Sequence, residues 1–397
     1  MVNENIVIVG QQPWDTPIGS NCKDIALEFS KHNRVLYVNS PLDRISSIRS
    51  RPEPGIRKRL DIIRGKAEGL VKLAPNLWNL YPDCMVESIN WLDNRWVFDQ
   101  LNQVNNRRFA QSIQRALKQL DFDDFYLFND NEIIKCHYLV DLLRPKVSMY
   151  YSRDYIISTP YWRKHGPWLE PRVVAMNDIC VANSLYLTDY CKQYNPNAYY
   201  VGQGCDLQYF SSDVLYPVPK DLEDISTPII GYVGALESIR LDVALLENLA
   251  LARPDWTVVL VGPADEVFQK SRLHQLKNVR FTGLKPFQEL AHYIGRFDVC
   301  LNPQAVNQLT IGNYPRKIDE YLALGKPVVA TRTRAMAEFE DVVYLADTPQ
   351  DYPRLVQQAL DEDSPVTQQL RKQIANSHTW ENSVGKIYTA LETMLIT

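Results

Sequence analysis

Lys317 and Glu320 stand one helical turn apart in the run Tyr314-Pro315-Arg316-Lys317-Ile318-Asp319-Glu320-Tyr321-Leu322-Ala323-Leu324-Gly325. A lysine can meet a phosphate, and an ionised carboxylate can accept both hydroxyls of a ribose. Together they suit a nucleotide-sugar. The alternative for Glu320 is a surface carboxylate paired with Lys317, worth a few tenths of a kcal/mol. Pro315 suits the first turn of a helix, where its missing N–H would be unpaired anyway. Ile318, Tyr321, Leu322 and Leu324 supply the apolar stripe, and Gly325 ends it in a left-handed cap. The helix start, with Asn313, Tyr314 and Pro315, offers N–H groups and a positive dipole end to an anion.

These residues need a sheet to hold them. Val328-Val329-Ala330 reads as a buried strand directly after the helix. Upstream, Ile6 to Val9, Val35 to Val38, Tyr126 to Phe128 and Val147 to Tyr151 read as further buried strands. Helical patterns lie over Cys22–Lys31 and Arg107–Leu120. Strands alternating with helices predict an α/β fold with parallel sheets. The stretch 211–228 holds Pro217, Pro219 and Pro228 with four acids, and is the expected linker. The pattern restarts at Ile229. The expected organisation is a first domain over 1–210, a second over 229–379, and an amphipathic helix over 380–397 with Val384, Ile387, Leu391 and Leu395 on one face.

Pro315, Lys317 and the run from Glu320 to Val329 resemble the donor-site signature of GT-B glycosyltransferases of the group 1 superfamily. Ile229 to Leu236 is similar to that family's first strand and glycine loop. Val258 to Pro263, Phe281 to Leu284 and Phe297 to Pro303 follow in the same order. The resemblance covers the C-terminal half nearly end to end and the N-terminal half loosely. It implies two Rossmann-like domains facing across a cleft, with the last helix returning to the first domain. It implies Gly234, Gly262 and Arg240 as donor contacts, Arg240 lying six residues beyond Gly234 where the family has a basic diphosphate contact. Arg240 could instead pair with Glu237 or Asp242. Ala235 replaces an arginine common in the family, and Gly312 stands where a second glutamate is frequent.

The activity implied is transfer of a sugar from a nucleotide-diphosphate donor, UDP or GDP, to a hydroxyl of a glycan or lipid-linked acceptor. Retention of configuration, independence of a metal or other cofactor, and a place in bacterial cell-surface polysaccharide synthesis go with it. A sugar-nucleotide 2-epimerase of the same fold, or a subunit that binds donor without cleaving it, fits the same residues.

In the first half, Asp15, Asp130 and Asp154 each follow an expected strand. They are candidates for acceptor binding or proton abstraction, or else helix caps. His165 reads as a surface histidine. Asp121-Phe122-Asp123 has the form of a metal-binding D-x-D, but precedes a strand and reads as a solvated loop. Gly10 is followed by no G-x-G-x-x-G, which disfavours a dinucleotide enzyme.

The stretch 44–72 carries nine Lys or Arg against three acids, with Ile56, Leu60 and Ile63 on one helical face. It reads either as a solvated helix or as a contact with an anionic membrane. A net charge of −4 suggests no nucleic-acid partner. No apolar run approaches a membrane span and no leader is evident, so the expected location is cytoplasmic, peripheral to the inner face of the plasma membrane. Seven scattered cysteines without a Cys-x-x-Cys pair read as reduced thiols rather than zinc ligands.

Overall fold

The computed structural model describes residues 1–16, 20–50 and 53–396, which form two compact units. The first comprises Met1–Gly202 and Trp380–Thr397, and the second Gln203–Thr379.

In the first unit the strands are β1 (Asn5–Gly10), β2 (Arg34–Asn39), β3 (Leu42–Asp43), β4 (Leu70–Ala74), β5 (Leu77–Leu80), β6 (Met85–Val86), β7 (Tyr126–Asp130), β8 (Val147–Ser152), β9 (Ile179–Ala182) and β10 (Ala198–Tyr200). Eight make one sheet in the order β10-β9-β8-β7-β1-β2-β5-β4, parallel except for the β4–β5 pair. β1 and β2 are unbroken apolar runs because helices cover both faces. On one face Ile8, Tyr37 and Phe128 pack with Phe29 of the helix Asn21–Ser30 and with Val384, Ile387 and Leu391 of the C-terminal helix Trp380–Ile396. On the other, Val7, Val9 and Leu36 pack against Phe109 and Ile113 of the helix Arg95–Leu120. That helix begins twelve residues before the expected Arg107, where Asn94 caps it by accepting from Trp96 and Val97.

The second unit holds β11 (Ile229–Val233), β12 (Thr257–Val261), β13 (Val279–Gly283), β14 (Val299–Asn302), β15 (Val328–Thr331) and β16 (Tyr344–Ala346). All are parallel, in the order β13-β12-β11-β14-β15-β16. This is the doubly wound order, reversing between β11 and β14.

Three expectations change. The stretch 211–228 is part of the second unit rather than a linker, because Leu222 and Ile225 are buried in its core beside Phe210. The division falls instead at Gly202/Gln203. On the helix Pro54–Ile63, Leu60 and Ile62 are buried, so its apolar face turns into the protein rather than outward. Large apolar side chains that stay exposed in and beside the basic stretch include Ile45, Ile48, Val71 and Leu73. Leu395 is 61% exposed and leaves the buried face of the last helix to Val384, Ile387 and Leu391.

Truncating Ile387, fully buried in the first unit's core, should lower the stability of that unit by about 2–5 kcal/mol in urea unfolding. Leu395→Ala should stay within about 0.5 kcal/mol of the parent.

Candidate functional site

The carboxyl ends of β11, β12 and β14 meet where the second sheet reverses, the place where open α/β sheets hold ligands. Gly234 follows β11 with φ of 142°, and Gly262 follows β12 with φ of 145°. A Cβ on Gly262 would lie 2.0 Å from the Gly234 carbonyl oxygen, and one on Gly234 would lie 2.9 Å from the Tyr232 hydroxyl. Only glycine fits either position. Beside this loop pair, Lys317 Nζ donates to Tyr232 Oη at 2.8 Å and sits 4.5 Å over the Tyr232 ring. The same ammonium lies 3.3 Å from where a Gly234 side chain would begin. Lys317 is therefore fixed on the glycine loop and does not pair with Glu320.

The helix Lys317–Ala323 begins two residues later than expected, and Pro315 precedes it in a turn closed by Ile318 N donating to Pro315 O at 2.9 Å. Gly325 takes the expected left-handed conformation, φ 73°. Tyr321 ties the helix to the end of β11, its hydroxyl accepting from Val233 N at 2.9 Å. Asp319 is fully buried. It accepts from the Tyr314 hydroxyl at 2.8 Å and the Cys205 thiol at 3.1 Å, and pairs with His378 Nδ1 at 2.6 Å. Burial, followed by the Asp319 charge, pushes the Cys205 and Tyr314 pKa values well up, so both stay protonated donors.

Glu320 follows Asp319 and keeps some solvent contact, yet its carboxyl is closely surrounded. That desolvation raises its pKa to about 7, opposed by the nearby Arg316 and Lys317 charges. The remaining candidates divide. Asn313 lies at the turn before the helix, its N–H bonded to Thr310 O at 3.1 Å. Tyr314 is buried with its hydroxyl on Asp319, so its side chain is turned away from solvent. Arg240 is exposed and pairs with Glu237 at 3.0 Å, while its carbonyl accepts from Ala305 N after β14.

The first sheet reverses between β1 and β7. Asp130, at the end of β7, is fully buried and bonds Arg153 Nε at 2.7 Å and the Gln11 N–H at 3.3 Å. An inaccessible, ion-paired carboxylate cannot take a proton from an acceptor, so Asp130 positions Arg153 instead. Arg153 also meets Asp154 at 2.8 Å, and Asp154 remains half exposed. Asp15 is exposed in the turn after β1. The three aspartates thus form no common constellation. His165 is 1% exposed and stacked on Phe98 at 3.7 Å between centroids, so it is a core residue whose burial lowers its pKa. Asp121 caps the helix Arg95–Leu120 in the left-handed conformation, ahead of β7, and needs no metal to explain it.

Sequence reasoning missed Arg153, Tyr232, Asp319 and His378. Arg153 alone carried a signal, since it directly follows β8, the strand paired with β7.

Residues 227–362 match the family model described as Glycosyl transferases group 1. TuaH of Bacillus subtilis (strain 168), provisionally named as a teichuronic acid biosynthesis glycosyltransferase, is 29% identical over 203 residues, 48% of this chain and 50% of its own length. The chain thus spans about half of that curated relative. Sucrose-phosphate synthase from Thermosynechococcus elongatus superposes with a TM-score of 0.64 at 14% identity, over 98% of this chain and 100% of its own. Anabaena HepE, solved in complex with UDP, gives 0.63 at 13% identity over the same shares. The chain has the α/β fold of these GT-B proteins. Among the described residues no helix is long and apolar enough to cross a membrane.

Two outcomes are expected. Since the folded pKa of Glu320 lies near 7 and its ordinary value is 4.5, its stabilising contribution is complete below about 4.5 and lost as pH rises through 7. Melting curves of Glu320→Gln should lack that decline between the two values. Arg153→Ala strands the buried Asp130 charge and should cost about 3–5 kcal/mol in denaturant unfolding, whereas Asp154→Ala should cost under about 1 kcal/mol.

Proposed function

We propose that this chain, whose residues 227–362 belong with the group 1 glycosyl transferases, moves a sugar from a nucleotide-diphosphate donor to a hydroxyl of a glycan or lipid-linked acceptor. The observation that carries the reading is Lys317 Nζ pinned on Tyr232 beside the Gly234 loop, with Glu320 one turn along the same short helix. The glycine loops leave room for the diphosphate beside bare backbone, their own N–H groups being held by the carbonyls of Val261 and Gly283. Lys317 meets its charge, and ionised Glu320 accepts the ribose hydroxyls. HepE was solved with UDP and with UDP-glucose, which favours a uridine donor here.

In the retaining course, the bond from the anomeric carbon to the diphosphate oxygen breaks as the acceptor oxygen bonds that carbon on the same face. The acceptor proton passes to the departing diphosphate. Lys317 steadies the charge that grows there, so no metal is required. The relative's teichuronic acid assignment favours a cell-surface polysaccharide as product. The basic residues of 44–72, other than Arg51 beyond the described residues, together with exposed Ile45 and Ile48, would bring the first unit to an anionic membrane holding the acceptor.

The test is a thermal-shift series with UDP, GDP, CDP and dTDP, repeated on Glu320→Ala. At 100 times its Kd the right nucleotide should stabilise by about 2.7 kcal/mol, and the variant should lose most of that gain. A shift retained in full by the variant would remove Glu320 from the donor site. Sugar release that proceeds fully without any acceptor would overturn the transferase reading.

A further inference from the structure

A cavity of about 420 Å³ opens in the first unit, apart from every residue assigned above to the donor. Its volume falls in the roughly 300–1,000 Å³ range of small-molecule sites. Its walls come from the loop after β6, the helix Arg95–Leu120, the segment after β7 and Tyr161. Lys135, in its wall, reaches Ser40, which follows β2, with Nζ to Oγ at 2.6 Å. The cavity therefore lies toward the carboxyl ends of β2 and β7, the side of the sheet that also carries Arg153.

The chemistry of its lining is specific. Trp91 is 67% exposed and Tyr161 47% exposed, so both present ring surface at the mouth. The Trp91 indole N–H is already held by Ser88 O at 2.8 Å, which fixes the ring and leaves its faces open. Val86, Ile89 and Ile134 make the apolar wall. Between these surfaces stand polar groups with capacity left. Asn90 Oδ1 is buried with no partner among the described residues. Lys135 spends one proton on Ser40. Asp43 and Glu87 complete the polar wall, Asp43 already accepting from Ser46 and Ser88 and Glu87 bridging Arg44 and Arg108.

A lipid tail would leave Asn90 Oδ1 without a partner in a dry pocket, at that group's desolvation cost. A phosphate would meet one lysine among two carboxylates. A ring with apolar faces and an edge of hydroxyls, each able to donate and accept, satisfies the whole lining. We infer that this cavity binds a hexopyranose unit of the acceptor glycan. The inference rests on the transferase reading, and it commits that reading to an acceptor recognised through a sugar it already carries.

Saturation-transfer-difference NMR tests it on the full chain, with methyl glycosides of glucose, galactose, N-acetylglucosamine and glucuronic acid as probes and UDP in a separate sample. Ring-proton signals are expected from at least one glycoside, with apparent affinity falling roughly tenfold in Trp91→Ala, as for loss of an anchoring aromatic. Asn90→Leu should weaken it as well, and its far-ultraviolet dichroism reports whether the loop stays folded. Absence of signal from all four glycosides overturns the proposal, and so does signal unchanged in Trp91→Ala. The UDP sample reads the donor site by itself. Glycoside signals lost in Trp91→Ala, beside a silent UDP sample, would uphold the cavity and sink the donor reading.

Discussion

Everything in the second unit is arranged around the approach of two loops that leaves no room for a side chain. The carbonyl of Gly234 occupies the space where any Cβ at position 262 would stand, and both glycines take positive φ. Two successive strands thereby end in bare backbone, and since the N–H groups of Gly234 and Gly262 are held by the carbonyls of Val261 and Gly283, the loops supply room rather than donors. Into that space the chain puts one cation. Lys317 is held there because Tyr232, the penultimate residue of β11, carries its ammonium on both ring and hydroxyl. The Tyr321 hydroxyl then fastens the lysine's own helix to Val233, the next residue of the same strand.

Beneath this surface Asp319 works as a hub. A buried carboxylate needs partners for its lone pairs, and it finds them in Tyr314 five residues before it and in Cys205 and His378 far away in sequence. The hub draws the loop before the helix, the start of the unit and its end into one network. Glu320 is thereby presented by a helix of only seven residues, too short to hold its own shape without such anchoring. Asp130 and Arg153 follow the same logic in the first unit, where a buried acid holds a cation in place and leaves it partly open to solvent.

The legible parts of the sequence were those where one residue type admits one physical explanation. Unbroken apolar runs such as Ile6 to Val9 announced buried parallel strands, and Gly325 before Lys326-Pro327 announced the end of a helix. The Lys317/Glu320 spacing was legible as well. The hub was not, because Cys205, Tyr314 and His378 meet only in three dimensions and none is unusual locally. Asp130 read as a candidate base because its strand-end position was visible while Arg153, its partner, was not paired with it by any spacing. The prolines of 211–228 suggested a linker, but a segment rich in turns packs as well as any other when Leu222 and Ile225 point inward. The helix Pro54–Ile63 leaves two readings open for a related reason: an amphipathic pattern tells which face is apolar, and not what covers it, and here Leu60 and Ile62 are buried.

The closing helix has a consequence for how the protein is made. The chain leaves the first unit at Gly202, completes all of the second, and returns to the first only at Trp380. On the ribosome, the second unit is whole and free to fold while the first still lacks the helix that covers Ile8, Phe29 and Phe128. That apolar face must wait, exposed, for roughly ten to thirty-five seconds of synthesis. A chain cut just before Trp380 would carry a complete second unit attached to a first without the helix that covers one face of its sheet.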